Sequence, residues 1–261
     1  DKNDPSGSVF KIPLWLLEIE DIALLLQANK HNQLMIIERV LKLAYIFALD
    51  KDISNKYKNH LIATAIMNIL YSNQTASYKR NEVFTLLASC STDEFSLNTV
   101  VQGVGYTRKF RECFVIDSKG EFPESILLTE YVNKFISDEL ANYEAEERRI
   151  FNLEDLERAL NFALISEGLL NNDETYADAI MLKVKLHSLV IGRYKEYFDY
   201  GEYVTKEQYI NKLFDSGVKT QIVNINLEDI DDWFGKFITK SVSKLLFDYS
   251  KTQAQRATKP F

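Results

Sequence analysis

Apolar residues recur every three or four positions along most of this chain, the spacing that puts them on one face of an α-helix. The pattern predicts helices from Glu20 to about Leu26 and from Gln33 to Leu49, the second with Ile37, Val40, Leu41, Ala44 and Ala48 on one stripe. A third is predicted from about Tyr57 to Tyr71, with Leu61, Ile62, Ala65, Ile66 and Ile69 inward. The polar run Asn73 to Tyr78 interrupts it, and short helices are expected at about Asn81 to Ala88 and Asp93 to Val101. The second of these begins at Ser91-Thr92-Asp93-Glu94, a serine with a glutamate three positions on, which fits a capping box, and Gly103 and Gly105 end it.

Ahead of all this, Val9 to Pro13 reads as extended, because a residue before proline is biased away from helix. Phe114 to Gly120 reads as a strand and turn, and Ser125 to Ile150 as one long amphipathic helix with Leu128, Val132, Phe135, Ile136, Leu140 and Tyr143 inward. Asn152 with Asp155 opens a helix that ends at Gly168, Ala177 to Tyr197 forms another, and Thr205-x-x-Gln208 starts a shorter one ending near Ser216-Gly217. Then the period changes from helical to alternating. Thr220 to Leu227 is the best strand in the chain, with β-branched residues and alternation of Val223, Ile225 and Leu227. An acidic turn, Glu228 to Asp232, leads into a final helix carrying Trp233, Phe234, Ile238, Val242, Leu245 and Tyr249. A strand-helix pair of this kind, followed by Lys259-Pro260-Phe261 where the next strand of a βαβ unit would start, is expected to be part of a larger α/β unit.

Composition narrows the fold class. Nine glycines and four prolines in 261 residues fall well below average usage of roughly 7% and 5%. With 46% hydrophobic and 26% charged residues, so few turn formers argue for long helices and against a sandwich, a barrel, a collagen-like chain or disorder. The net charge of −7 gives no overall attraction to a polyanion, so any nucleic-acid contact must come from a local patch. Cys90 and Cys113 make neither a disulfide framework nor a Cys-x-x-Cys site, and read as ordinary buried thiols in a reducing compartment. No bilayer-length apolar stretch occurs and Asp1 to Gly7 is unlike a signal peptide, so no membrane association is expected and a cytoplasmic location is.

Few residues suggest chemistry. His31, His60 and His187 lack the spacing that pairs two ligands on one helical face. Gly103-Val104-Gly105 is two-thirds of a dinucleotide fingerprint but lacks the preceding strand and the third glycine. Glu144, Glu146 and Glu147 alternate with arginines on a solvated helix. Glu228, Asp229, Asp231 and Asp232 lie either at a ligand-binding strand end or at the start of the Trp233 helix, where acids complement the dipole. The one basic-aromatic concentration is Tyr106-Thr107-Arg108-Lys109-Phe110-Arg111. Cations that meet phosphates and rings that stack on bases are the parts single-strand binders combine, so Arg108, Lys109 and Arg111 are the candidate DNA contacts.

Two segments carry a family resemblance. Phe10-Lys11-Ile12-Pro13-Leu14-Trp15-Leu16-Leu17, with Ile19-Glu20-Asp21-Ile22 and Gln33, resembles the apolar-Pro-x-Trp-Leu stretch beyond the P-loop of HerA-type (HerA/FtsK-like) ATPases. Gln221 to Asp231, the Trp233 to Asp248 helix with Leu245-Leu246-Phe247, and Arg256 before Pro260-Phe261 resemble the strand and helix preceding their Walker B strand. Asp178 to Val184 with Leu186 is a looser third match.

The resemblance implies a mainly α chain in which a helical insertion is attached to part of an α/β RecA-like core. Residues 1–50 would be the lead and helices following the P-loop, 51–217 the helical insertion, and 218–261 the strand and helix before Walker B. It further implies a homo-hexameric, ATP- and Mg2+-dependent translocase of double-stranded DNA, acting with a nuclease or other effector in DNA processing or anti-phage defence. No Gly-x-x-x-x-Gly-Lys-[Ser/Thr] and no apolar strand ending in paired acids occurs here. The phosphate-cradling and metal-holding residues are therefore expected in flanking sequence, and no catalytic, cofactor or metal role falls on any residue, Arg256 included. Without the resemblance, the chain reads as a non-catalytic helical protein-interaction or DNA-binding module.

Overall fold

Helical periodicity becomes helix almost wherever it runs uninterrupted. The computed structural model describes residues 10–48, 51–141, 150–166, 173–214 and 223–252. Their α-helices are α1 (Ile19–Leu25), α2 (His31–Phe47), α3 (Lys51–Tyr71), α4 (Ala76–Cys90), α5 (Ser125–Asn133), α6 (Asp138–Ala141), α7 (Leu153–Ser166), α8 (Asp173–Ile191), α9 (Lys206–Phe214) and α10 (Asp232–Thr252). Helix α7 is central. Its buried Leu156, Ala159, Leu160, Phe162 and Ala163 meet the α2 stripe of Ile36, Ile37, Val40, Leu41 and Ala44, and α7 also packs on α3, α4 and α8.

Two predicted caps form. The backbone N–H of Asn152 donates to Asp155 Oδ2 at 3.0 Å and that of Asp155 to Asn152 Oδ1 at 2.8 Å. At α9, Thr205 N–H donates to Gln208 Oε1 at 2.9 Å while Gln208 N–H donates to Thr205 Oγ1 at 3.2 Å. Each pair satisfies two helix-start donors reciprocally.

Ile12 to Leu17 are buried. Ile12 N–H donates to the Tyr197 carbonyl at 2.8 Å, and the chain then turns through a 3-10 helix, Leu14–Leu16. Trp15 donates its indole N–H to the Val204 carbonyl at 2.9 Å and stacks on Tyr203. Helix α1 is held against α10 at the other end of the sequence: Ser241 Oγ donates to the buried Asp21 carboxylate at 3.0 Å. Lys244 reaches Glu18 at 2.7 Å, Asp21 at 3.4 Å and Glu20 at 3.5 Å. Burial works against its charge, but the carboxylates outweigh that and raise its pKa.

Five expectations are corrected. Asp93 to Val101 is not a helix. Thr92 Oγ1 accepts from Phe95 N–H at 3.0 Å, Thr99 Oγ1 accepts from Ser96 N–H at 2.9 Å, and Asn59 ties down Glu94 and Thr92. The hydroxyls satisfy the backbone locally and divert it from helix. The residues after them form a two-stranded antiparallel hairpin, β1 (Val100–Gln102) and β2 (Thr107–Lys109), with Gly103 and Gly105 in its turn rather than at a helix end. Phe114 to Gly120 is not a strand either, since a 3-10 helix, Phe110–Phe114, is followed by irregular chain and a turn at Gly120, φ +80°.

The long Ser125 to Ile150 helix breaks after Asn133, where Phe135 turns in to stack on Phe95 at 4.8 Å and the Ser137 N–H donates to His60 Nδ1 at 3.1 Å. Residues 142–149, Gly168 and Ser216-Gly217 lie outside the described residues. Of the expected Thr220 to Leu227 strand, only Val223 to Leu227 is described, and it is irregular chain with alternating burial and no ladder partner among the described residues. The described residues are thus mainly helical with one hairpin, and they include no parallel sheet.

Candidate functional site

The basic-aromatic segment lies on the hairpin and the 3-10 helix after it, and strand geometry divides its cations. Cross-strand partners share a face of a sheet and successive residues alternate. Arg108 is paired with buried Val101 and therefore shares its face, whereas Lys109 is paired with exposed Val100 on the opposite one. Arg111 follows in the 3-10 helix, exposed, its backbone N–H donating to the Leu97 carbonyl at 3.0 Å.

Arg108 is committed elsewhere. Its guanidinium pairs with Glu124 at 3.2 Å and lies 5.2 Å from the centre of the Tyr106 ring. The Tyr106 hydroxyl donates to the other oxygen of Glu124 at 2.7 Å, and that hydrogen bond raises the phenol's pKa. Lys109 and Arg111 make no ion pair among the described residues. Glu112, which follows Arg111, accepts the backbone N–H of Lys109 at 3.0 Å. The three candidate cations are thus one braced side chain and two open ones. Glu124, the residue that separates them in role, is too far along the sequence for a local reading to find.

The other candidates are structural. Asp231 accepts from the Tyr194 hydroxyl at 2.6 Å and pairs with Arg193 at 3.0 Å, and these two partners, the hydroxyl first, hold its pKa below the ordinary carboxylate range. Its carbonyl accepts from the N–H groups of Phe234 and Gly235 at 2.9 Å, so it fixes the start of α10, and Asp232 lies in the first turn. Glu144, Glu146 and Glu147 lie outside the described residues.

His31 opens α2, His60 is buried, and His187 meets Glu157 at 2.8 Å. They do not come together, and no group of three His, Cys, Asp or Glu able to hold a metal occurs among the described residues. Cys113 is buried and Cys90 partly so, with burial pushing the Cys90 thiol up to about 11. An open groove beside α1 and α10 is lined by Leu24, Leu227 and Ile230 together with Asp231, Asp232, Lys236 and Lys240. No helix among the described residues is long and apolar enough to cross a membrane.

No protein-family model matches the chain, and comparison with curated proteins finds no relative.

Proposed function

We propose that this chain is the helical insertion, with part of the RecA-like core, of a HerA-type ATP-driven DNA translocase. The observation that carries the reading is the pairing of α1 with α10. The two segments that resemble the family lie at opposite ends of the sequence, yet Ser241 joins them through a buried hydrogen bond to Asp21 and Lys244 through a partly buried ion pair to the same carboxylate. Two segments of one core would be expected to meet in this way. Val223 to Leu227, irregular but alternating in burial and without a ladder partner among the described residues, also suits a segment that pairs with a sheet completed by flanking sequence.

On this reading the intact protein forms a homo-hexamer around double-stranded DNA, binds ATP and Mg2+ through flanking residues, and works with a nuclease or another effector in DNA processing or anti-phage defence. The helical part carries the DNA-facing cations. The test is direct. The reading frame on either side should contain a P-loop upstream and an acidic Walker B strand downstream, and the full-length protein should hydrolyse ATP faster when DNA is added. Stop codons at both edges, or a full-length protein inert toward ATP with DNA and Mg2+ present, would leave a non-catalytic helical binding module.

A further inference from the structure

Val104, at the tip of the hairpin, is 99% exposed, more than any other large apolar side chain among the described residues. A lone exposed valine is ordinary on a surface, but one at a projecting tip is placed to be buried by whatever the tip enters, and that burial stabilises the contact. The tip is also held firmly. Gly105 takes the left-handed corner at φ +79°. The Tyr106 ring lies so close to Gly103 that a Cβ there would approach it to 2.6 Å. Tyr106 and Arg108 are both fastened to Glu124 at the start of α5. At the base stands Lys109 and just beyond it Arg111, neither with an ion pair among the described residues. The two strands pair over three residues each, Val100 with Lys109 to Gln102 with Thr107, and Val104 stands in the turn beyond them. A two-stranded ribbon is narrow enough to enter a DNA major groove about 12 Å wide.

We propose that this hairpin is a DNA pin: Val104 enters the major groove of duplex DNA, Lys109 and Arg111 bind the flanking phosphates, and Arg108 is a positioning residue that keeps the hairpin upright through Tyr106 and Glu124. The proposal rests on the DNA-translocase reading above. Apolar side chains are used in this way against base edges, thymine methyls above all. The division of labour separates the residues by their response to salt, because only a phosphate contact releases counterions.

The test measures binding of the full-length protein to a short fluorescent duplex across a range of salt, with thermal melting of each variant as a check on folding. Lys109→Ala with Arg111→Ala should weaken binding and reduce the slope of log affinity against log salt by about two, at roughly 0.9 per phosphate. Val104→Ser should weaken binding by about fivefold to tenfold with the slope unchanged. Arg108→Ala should also weaken binding with the slope unchanged. Wild-type affinity in the Val104→Ser variant overturns the wedge, and a slope reduced by about one in Arg108→Ala overturns the positioning role. An unaltered slope in the double variant overturns the phosphate contacts. In each of these outcomes the DNA reading stands as long as the wild type binds duplex. A wild-type protein that binds no duplex at low salt overturns both.

Discussion

His60 shows how a single buried side chain makes this fold sensitive to pH. It lies on α3, is 5% exposed, and accepts the Ser137 N–H through Nδ1 at 3.1 Å where the chain enters α6. Burial lowers its pKa, and Asp138 nearby offsets only part of that. The folded-state pKa therefore lies below the unfolded value of about 6.5. As pH falls through about 6.5 the unfolded chain takes up the proton first, so stability declines, and it levels off once pH is below the folded pKa. A proton on Nδ1 would also leave the Ser137 N–H without its acceptor. Urea denaturation of wild type and His60→Gln at about pH 7.5 and about pH 5.5 should show a larger loss on acidification in the wild type. Equal losses would mean that His60 binds the same number of protons folded and unfolded.

Among the elements, α7 bears the largest packing load, since α2, α3, α4 and α8 all rest on it. Leu160→Ala there, at 1% exposure, should cost about 2–5 kcal/mol by denaturant titration, through lost burial and a cavity that packed neighbours cannot close. Met181→Ala on the open face of α8, at 52% exposure, should change stability by less than about 0.5 kcal/mol.

These helices could be read from the sequence because their periodicity and their caps agree, as at Asn152 with Asp155 and Thr205 with Gln208. The failures share a different cause. The Ser125 to Ile150 pattern is continuous in sequence, and what interrupts it is Phe95, which takes Phe135, and His60, which takes the Ser137 N–H. Ser91 to Glu94 has the letters of a capping box, but Asn59 on α3 claims Thr92 and Glu94 for a turn. Arg108 is conspicuous in a basic cluster and is paired with a distant glutamate. In each case the deciding partner is tertiary, and no window of sequence contains it.

At the scale of the whole molecule, the question is whether the first and last segments fold independently of the helices between them. Both tryptophans report on it. Trp15 in the lead donates to the Val204 carbonyl and packs on Tyr200 and Tyr203. Trp233 at the start of α10 packs edge-on against Tyr194, 5.4 Å between centroids. Each therefore rests on residues from the middle of the sequence, and the buried apolar residues of all three parts belong to one connected core. Contacts shared in this way couple the parts into a single cooperative transition. Single-tryptophan variants, Trp15→Phe and Trp233→Phe, should then each give a fluorescence midpoint that coincides with the loss of helical circular dichroism in the same variant. If residues 51–217 were an autonomous insertion, the circular dichroism of its helices would persist after one or both tryptophans had reached their unfolded emission, and the transitions would separate. Coincidence in both variants would mean that the helical part and the core segments stand or fall together, so that a load on the hairpin is borne by the packing of α7, α8 and the lead as far as the α1–α10 join.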